Sequence, residues 1–290
     1  MNLDIGRVFS TTIETIKERI WPMIGLYAVF FAISIVFLLV GGGLLGASMA
    51  GAMMSLGAGG LDNPAALGGF GFGAIIGMII FYVLYLALIF AQQASMSAMA
   101  SPTRRVLFGD AMSAGFRAGL TSVALFLLFF IVYIIAALVI GLVFAALAFV
   151  SEILVFLGAI ALLPGLIYLV CRLAVIVPVM AVEGVFNPIT AINRTWQVTR
   201  GNVLGILIVM LLGALITLAI LIVPGFLIFG MAGGAAAGDM TGGAVALLSI
   251  GFLLFIPLFI ISQVFSVTLT TVLHSEISDD HLEEMTEMFE

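Results

Sequence analysis

The sequence predicts an all-α, polytopic membrane bundle of six transmembrane helices. They are expected as three hairpins, each preceded by a cytoplasmic interfacial amphipathic helix. Three observations carry this. The 290-residue chain is 64% hydrophobic and 8% charged, with a mean hydropathy of +1.37, whereas soluble domains carry about 25% charged residues. Its long apolar runs equal or exceed the ~20 residues that cross a bilayer as a helix, and they lack the alternating polar face of a barrel strand. The basic residues are also one-sided. Arg7, Lys17 and Arg19 precede the first run, Arg104, Arg105 and Arg117 lie between the second and third, Arg194 and Arg200 lie between the fourth and fifth, and only Arg172 is inside a run. The links after the first, third and fifth runs hold Asp62, Glu152 and Asp239 and no Lys or Arg, the asymmetry that puts both termini in the cytoplasm.

Spans are expected at about 22–46, 73–100, 119–149, 153–182, 203–229 and 244–272, giving a transmembrane domain over 1–274 and an acidic cytoplasmic tail over 275–290. The first apolar stretch begins at Trp21 behind a charged lead with no Ala-x-Ala site nearby, so it is expected to stay as an anchor. In that lead, Ile5, Phe9, Ile13, Ile16 and Ile20 recur every three to four residues, with Arg7, Glu14, Lys17 and Glu18 facing elsewhere, the pattern of a helix lying in the interface. Residues 47–72 are mostly Gly, Ala, Met and Leu around Asp62 and Asn63-Pro64 and read as a flexible, membrane-skimming connector. They lack the Lys-Ser/Thr ending of a nucleotide-binding loop. Gly42 and Gly46 leaving the first span, and Gly69, Gly73 and Gly77 entering the second, form small-residue ridges that allow close helix approach.

The second basic lead repeats Val106, Met112 and Phe116 beside Arg105, Asp110 and Arg117. The span after it, with ~31 residues at ~1.5 Å each, is too long for ~30 Å of hydrocarbon and must tilt or project. The third lead repeats Ile189, Ile192 and Trp196 beside Asn193, Arg194 and Arg200. Setting Thr11, Ala111 and Ala191 in register aligns Ile16, Phe116 and Trp196, with the capping types Ser10, Asp110 and Thr190 just before each. Two readings follow: three copies of one unit, or the likeness that any positive-inside hairpin array has to itself. Residues 230–243 repeat the low-complexity character around Asp239. Seven of the fifteen acids fall in the last sixteen residues, so the net charge of −6 belongs to the tail. That tail reads either as a short helix capped by Asp279 or Asp280, with Leu282, Met285, Met288 and Phe289 on one side and docked on a protein surface, or as solvated disorder.

Ionisable residues at membrane depth are costly, which singles out Arg172. It lies eleven residues from Glu183, almost three helical turns and roughly 16 Å. Gln92, Gln93 and Gln263 sit at a matching depth in the second and sixth spans. A polar layer of Gln92, Gln93, Arg172 and Gln263 is therefore expected in the bundle interior. Its preferred reading is a hydrogen-bonded clasp between helices; the functional one is a cytoplasm-facing vestibule for a lipid head group or small anion. Pro164 and Pro178 bracket Arg172 and should kink or end its helix. The single cysteine, Cys171, excludes an intrachain disulfide and reads as packing. His274 and His281, the only histidines, are both assigned to the tail region, without a third ligand spaced for zinc. No span holds an Asp for paired-carboxylate chemistry, and no basic surface suited to nucleic acid is present. The expectation is no enzyme, no cofactor and no metal.

From Arg172 to Gly201 the residues read Arg172-Leu-Ala-Val-Ile-Val-Pro178, Val182-Glu183-Gly184, Pro188, Ala191, Arg194-Thr195-Trp196 and Thr199-Arg200-Gly201. This resembles the signature of bacterial six-span proteins grouped with the membrane domain of glycerophosphoryl diester phosphodiesterases and the YciC-like, UPF0259 membrane proteins, where Ser is commoner at the place of Thr195. The resemblance implies an integral protein of the bacterial inner membrane without an assigned reaction; the phosphodiesterase activity of fused members resides in a separate catalytic domain that this chain has no room for. It draws attention to a candidate interfacial latch of Glu183, Arg194, Trp196 and Arg200, with Glu183 pairing Arg194 and Trp196 anchoring at head-group depth.

The function expected is therefore non-catalytic: a scaffold or accessory factor organising membrane lipids or partner proteins, the partner being another protein or a second copy, with no nucleic acid. The alternative is a transporter or lipid-handling protein built on a vestibule around Arg172.

Overall fold

The computed structural model describes residues 3–57, 64–236 and 242–289, with side-chain surroundings for 3–47, 50, 75–228 and 248–278. Every regular element among these residues is an α-helix: α1 (Ile5–Gly57), α2 (Pro64–Ala100), α3 (Phe108–Ala148), α4 (Glu152–Leu173), α5 (Ile176–Val182), α6 (Pro188–Val198), α7 (Val203–Ala236) and α8 (Gly242–Phe289). Six segments are long and apolar enough to cross a membrane: α1, α2, α3, α4 with α5, α7 and α8. The chain is a multi-pass membrane protein.

Pro178 accounts for the break between α4 and α5. It has no N–H to donate, and its ring clashes with the carbonyl four residues back, which belongs to Ala174, the residue that ends α4. The breaks around α6 rest on glycine. Gly184, after α5, and Gly201, after α6, have φ of 71° and 88°, the left-handed region that side chains avoid. The third basic lead is thus a separate helix. The first two leads run without interruption into α1 and α3.

The expected caps are corrected. Ser10 lies inside α1 and donates to the Arg7 carbonyl, while Asp4 accepts from the Arg7 N–H at 3.1 Å. Asp110 is inside the first turn of α3, whose N-cap is Leu107. Thr190 is inside α6, where Asn187 Oδ1 accepts from Ile189 and Thr190 N–H. In each case helix formation starts before the aligned residue, so these Ser, Asp and Thr side chains do not sit at the first free N–H groups. The tail also differs from the short capped helix expected: α8 continues unbroken to Phe289. The side chains of Asp279, Asp280, Leu282, Met285, Met288 and Phe289 lie outside the described surroundings.

Close approach is greatest between α2 and α3. A Cβ on Gly115 would meet Ser95 Oγ and stand 2.5 Å from the Ala91 carbonyl, and one on Gly119 would stand 2.8 Å from the Ala87 carbonyl. Two small-residue rows, Ala87-Ala91-Ser95 and Gly115-Gly119, therefore meet backbone to backbone, the arrangement that dispersion favours where lipid supplies no hydrophobic drive. Gly42 and Gly46, expected to serve this purpose, have open space around them, and Gly77 meets the tip of Leu45. Gly69 and Gly73 lie outside the described surroundings. Helix α3 packs far more against α2 than against α4, whereas α7 packs chiefly on α8.

The buried core lies largely toward the basic end. One cluster joins Met23, Leu26 and Phe30 of α1, Met96 of α2, Met180 of α5 and Ala191 of α6. A second joins Val8, Val175, Val179, Ile206, Leu273 and Ile277. Toward the opposite end the helices present apolar side chains outward, as with Leu39 at 71%, Leu142 at 72% and Leu253 at 73% exposure. Such surface is stable only where lipid replaces water.

Candidate functional site

Arg172 lies in the last turn of α4 and is 7% exposed. The sequence places it with Gln92, Gln93 and Gln263; the structure corrects this. Nε and Nη2 both donate to Tyr168 Oη, at 2.9 and 2.8 Å. Nη1 donates to the Trp196 carbonyl at 2.9 Å and to Thr199 Oγ1 at 3.2 Å. The guanidinium carbon also lies 5.1 Å from the Tyr168 ring centre and 4.9 Å from that of Trp196. The chain turns after α5 at Gly184 and enters α6, whose last turn meets Arg172. That turn offers carbonyl oxygens at the negative end of a helix dipole, and two aromatic faces complete the cation's shell. Thr199 Oγ1 in turn donates to Thr195 O at 2.8 Å. Tyr168 stands four residues before Arg172, one helical turn away, a signal that the sequence held.

Gln92, Gln93 and Gln263 do converge, on a cavity of about 300 Å³ between α1, α2 and α8. Tyr27, Ser34 and Tyr85 supply its other polar groups, and Tyr27 is hydrogen-bonded to Gln92. The lining faces are periodic: 27, 31, 34 and 38 on α1, 85, 89, 92 and 96 on α2, and 259, 263 and 267 on α8, each a single stripe. None of the lining side chains is charged at neutral pH. This cavity suits an uncharged polar group and offers no counterion to an ion. The sequence held Tyr27, Ser34 and Tyr85 in register with the glutamines.

Below it, at the α5–α6 turn, Glu183 accepts from Arg194 Nε at 2.7 Å and Nη2 at 3.2 Å, a fork-to-fork pair. It also meets His274 Nε2 at 3.0 Å, so the latch joins α5, α6 and α8. Burial pushes the Glu183 carboxyl upward, but hydrogen bonds from His274 and Arg194 and their charges outweigh it and hold the pKa at about 2. The sequence does not single out His274, because it follows the sixth apolar run directly and adjoins the acidic tail. It is 3% exposed and lies one turn before Ser278 Oγ, 3.3 Å from its Nε2, while its Nδ1 is buried with no hydrogen-bond partner among the described residues. Arg7 Nε reaches Glu276 at 3.2 Å, so the start of the expected tail is tied to α1. Arg200 is exposed and does not enter the latch. Trp196 belongs to the Arg172 shell, meeting Tyr168 edge-on at 6.1 Å, rather than to the carboxylate group.

Among the described residues no three His, Cys, Asp or Glu side chains gather in a metal-holding group; the side chain of His281 is outside that set. Cys171 is buried, beside Arg172. Comparison with protein-family models, curated protein sequences and solved structures gives no match.

Proposed function

We propose that this chain is a non-catalytic protein of the bacterial inner membrane, with both termini cytoplasmic, that organises lipids or partner proteins from its cytoplasmic face. It is read as a stand-alone relative of the phosphodiesterase membrane-domain and YciC-like group, built of three interfacial-helix-plus-hairpin units. The observation that carries the reading is the asymmetric distribution of order. Arg172, Glu183, Arg194 and His274 lock α4, α5, α6 and α8 together at the basic end, while apolar surface is left for lipid elsewhere. Rigid polar surface at one membrane boundary is what a scaffold presents.

The test is quantitative mass spectrometry of what co-purifies with the native chain in polymer-excised membrane discs, against the chain truncated after Ser278, which keeps the Glu276 and Ile277 contacts. A stoichiometric protein lost on truncation is the expected result for an accessory role. Equal, non-stoichiometric protein profiles for the two chains would sink it.

A second reading, lipid handling, is favoured by the glutamine cavity and not by Arg172. On that reading Gln263→Leu lowers binding of an uncharged amphiphile such as diacylglycerol in a detergent titration. Unchanged binding rejects it.

A further inference from the structure

A second cleft, of about 600 Å³, opens at the basic end between α1 and the α2–α3 link. Arg19 and Arg105 contribute cations to it, Glu18 the one acid, and Pro22, Leu107 and Phe108 an apolar wall. Arg19 is fixed in place, because its Nη1 donates to the Met99 carbonyl at 2.8 Å and the Ser101 carbonyl at 2.6 Å, capping the C-terminus of α2. Arg104 and Arg105 are exposed, and no carboxylate pairs with either among the described residues. Two cations against one acid leave the lining positive. Leu107 at 77% and Phe108 at 40% exposure make its wall costly in water and favourable against acyl chains.

A site that is cationic on one side and apolar on the other, at the boundary of a membrane span, matches an amphiphile whose charge is a phosphate. We propose that this cleft binds an anionic phospholipid, with the headgroup phosphate against Arg105 and Arg19 and an acyl chain along Pro22, Leu107 and Phe108. The proposal names the lipid class and the place for the lipid-organising role above, and it rests on that reading for its membrane setting. An ammonium-bearing headgroup would bring its cation beside Arg19 and Arg105, with only Glu18 to receive it, so a headgroup without an amine is favoured.

The experiment is native mass spectrometry of the full chain released from delipidated neutral-detergent micelles, titrated with phosphatidylglycerol, with phosphatidylcholine of the same chains, and with inorganic phosphate. The expected result is a saturable phosphatidylglycerol adduct, weakened about fivefold or more in Arg105→Gln and unchanged in Arg200→Gln, an exposed arginine outside the cleft. Phe108→Gln, which keeps both cations, weakens phosphatidylglycerol as well. Elution and thermal midpoint in lipid-free micelles verify that each variant is folded. Equal binding of phosphatidylcholine, equal losses in Arg105→Gln and Arg200→Gln, or no adduct overturns the site; displacement by inorganic phosphate at equal strength, indifferent to Phe108→Gln, overturns the lipid in favour of a free anion. None of these results changes the co-purification profile of the truncated chain, so the scaffold reading stands or falls separately.

Discussion

Glu183 is held by groups from two other helices, and its acidity has a direct consequence for stability. A carboxyl whose pKa is lowered on folding stabilises the fold fully above its ordinary value of 4.5 and loses that contribution as pH falls toward about 2. Arg194 is a third exposed, so solvent screens part of the gain, leaving about 1–2 kcal/mol. Thermal unfolding in mild detergent should therefore show a midpoint that drops between pH 4.5 and 2, and Glu183→Gln should start lower and lack that drop. Arg172 makes a different demand. Lysine carries the charge but cannot bridge Tyr168 Oη and the Trp196 carbonyl while lying against both rings. Arg172→Lys is expected to cost about 2 kcal/mol, and Tyr168→Phe about 1–2 kcal/mol, since it strands two buried N–H donors. A Lys variant as stable as the parent in the same unfolding assay would refute the paired-ring account. Arg172 could be singled out from sequence because a charge inside an apolar run is rare, and Tyr168 because it stands one turn away; Trp196 and Thr199 could not, because depth along a helix says nothing of which neighbouring helix its side chain meets.

Between helices, the decisive contacts are those where backbones touch. Gly115→Ala would force Cβ against the Ala91 carbonyl, an atom that cannot swing aside, and about 1–3 kcal/mol of packing free energy should be lost. Gly42→Ala meets open space and should be within about 0.5 kcal/mol of the parent. Comparing the two variants by thermal midpoint separates contact from composition, because both place the same residue in the same kind of helix. The helices themselves were legible: runs of apolar residues leave little alternative. Which glycines mattered was not. Gly42 and Gly46 have the same spacing as Gly115 and Gly119, and the difference lies in whether small residues of a neighbour, here Ala87, Ala91 and Ser95, face the row. Stripe periodicity did carry information about the cavity, since Tyr27 and Ser34, like Tyr85 and Gln92, are seven residues apart on single helix faces.

At the scale of the molecule, the proposed orientation, with the basic end cytoplasmic, can be checked by labelling. Thr103 is exposed in the α2–α3 link, and Cys171 is buried. A cysteine at Thr103 should react with a membrane-impermeant maleimide in inverted vesicles and stay unlabelled in intact spheroplasts. The reverse pattern would place the basic end outside. The boundary between membrane domain and tail was the least legible large-scale feature. The acidic composition begins near Glu276, yet Glu276 and Ile277 are still bound to α1 and to the second core cluster.

The gradient of burial along the bundle has a further consequence. Near the basic end, the spacing between helices is dictated by protein atoms: Arg172 in its aromatic shell, the carboxylate fork of Glu183, the small-residue crossing of α2 and α3. Near the other end, side chains such as Leu142 and Leu253 meet whatever surrounds them, so the surrounding acyl chains share in setting the separation. The two leaflets then act on the chain differently. A change in bilayer thickness is absorbed by splaying or tilting at the lipid-solvated end, while the interlocked end keeps its geometry, so the same protein reads one leaflet as a solvent and meets the other as a fixed template.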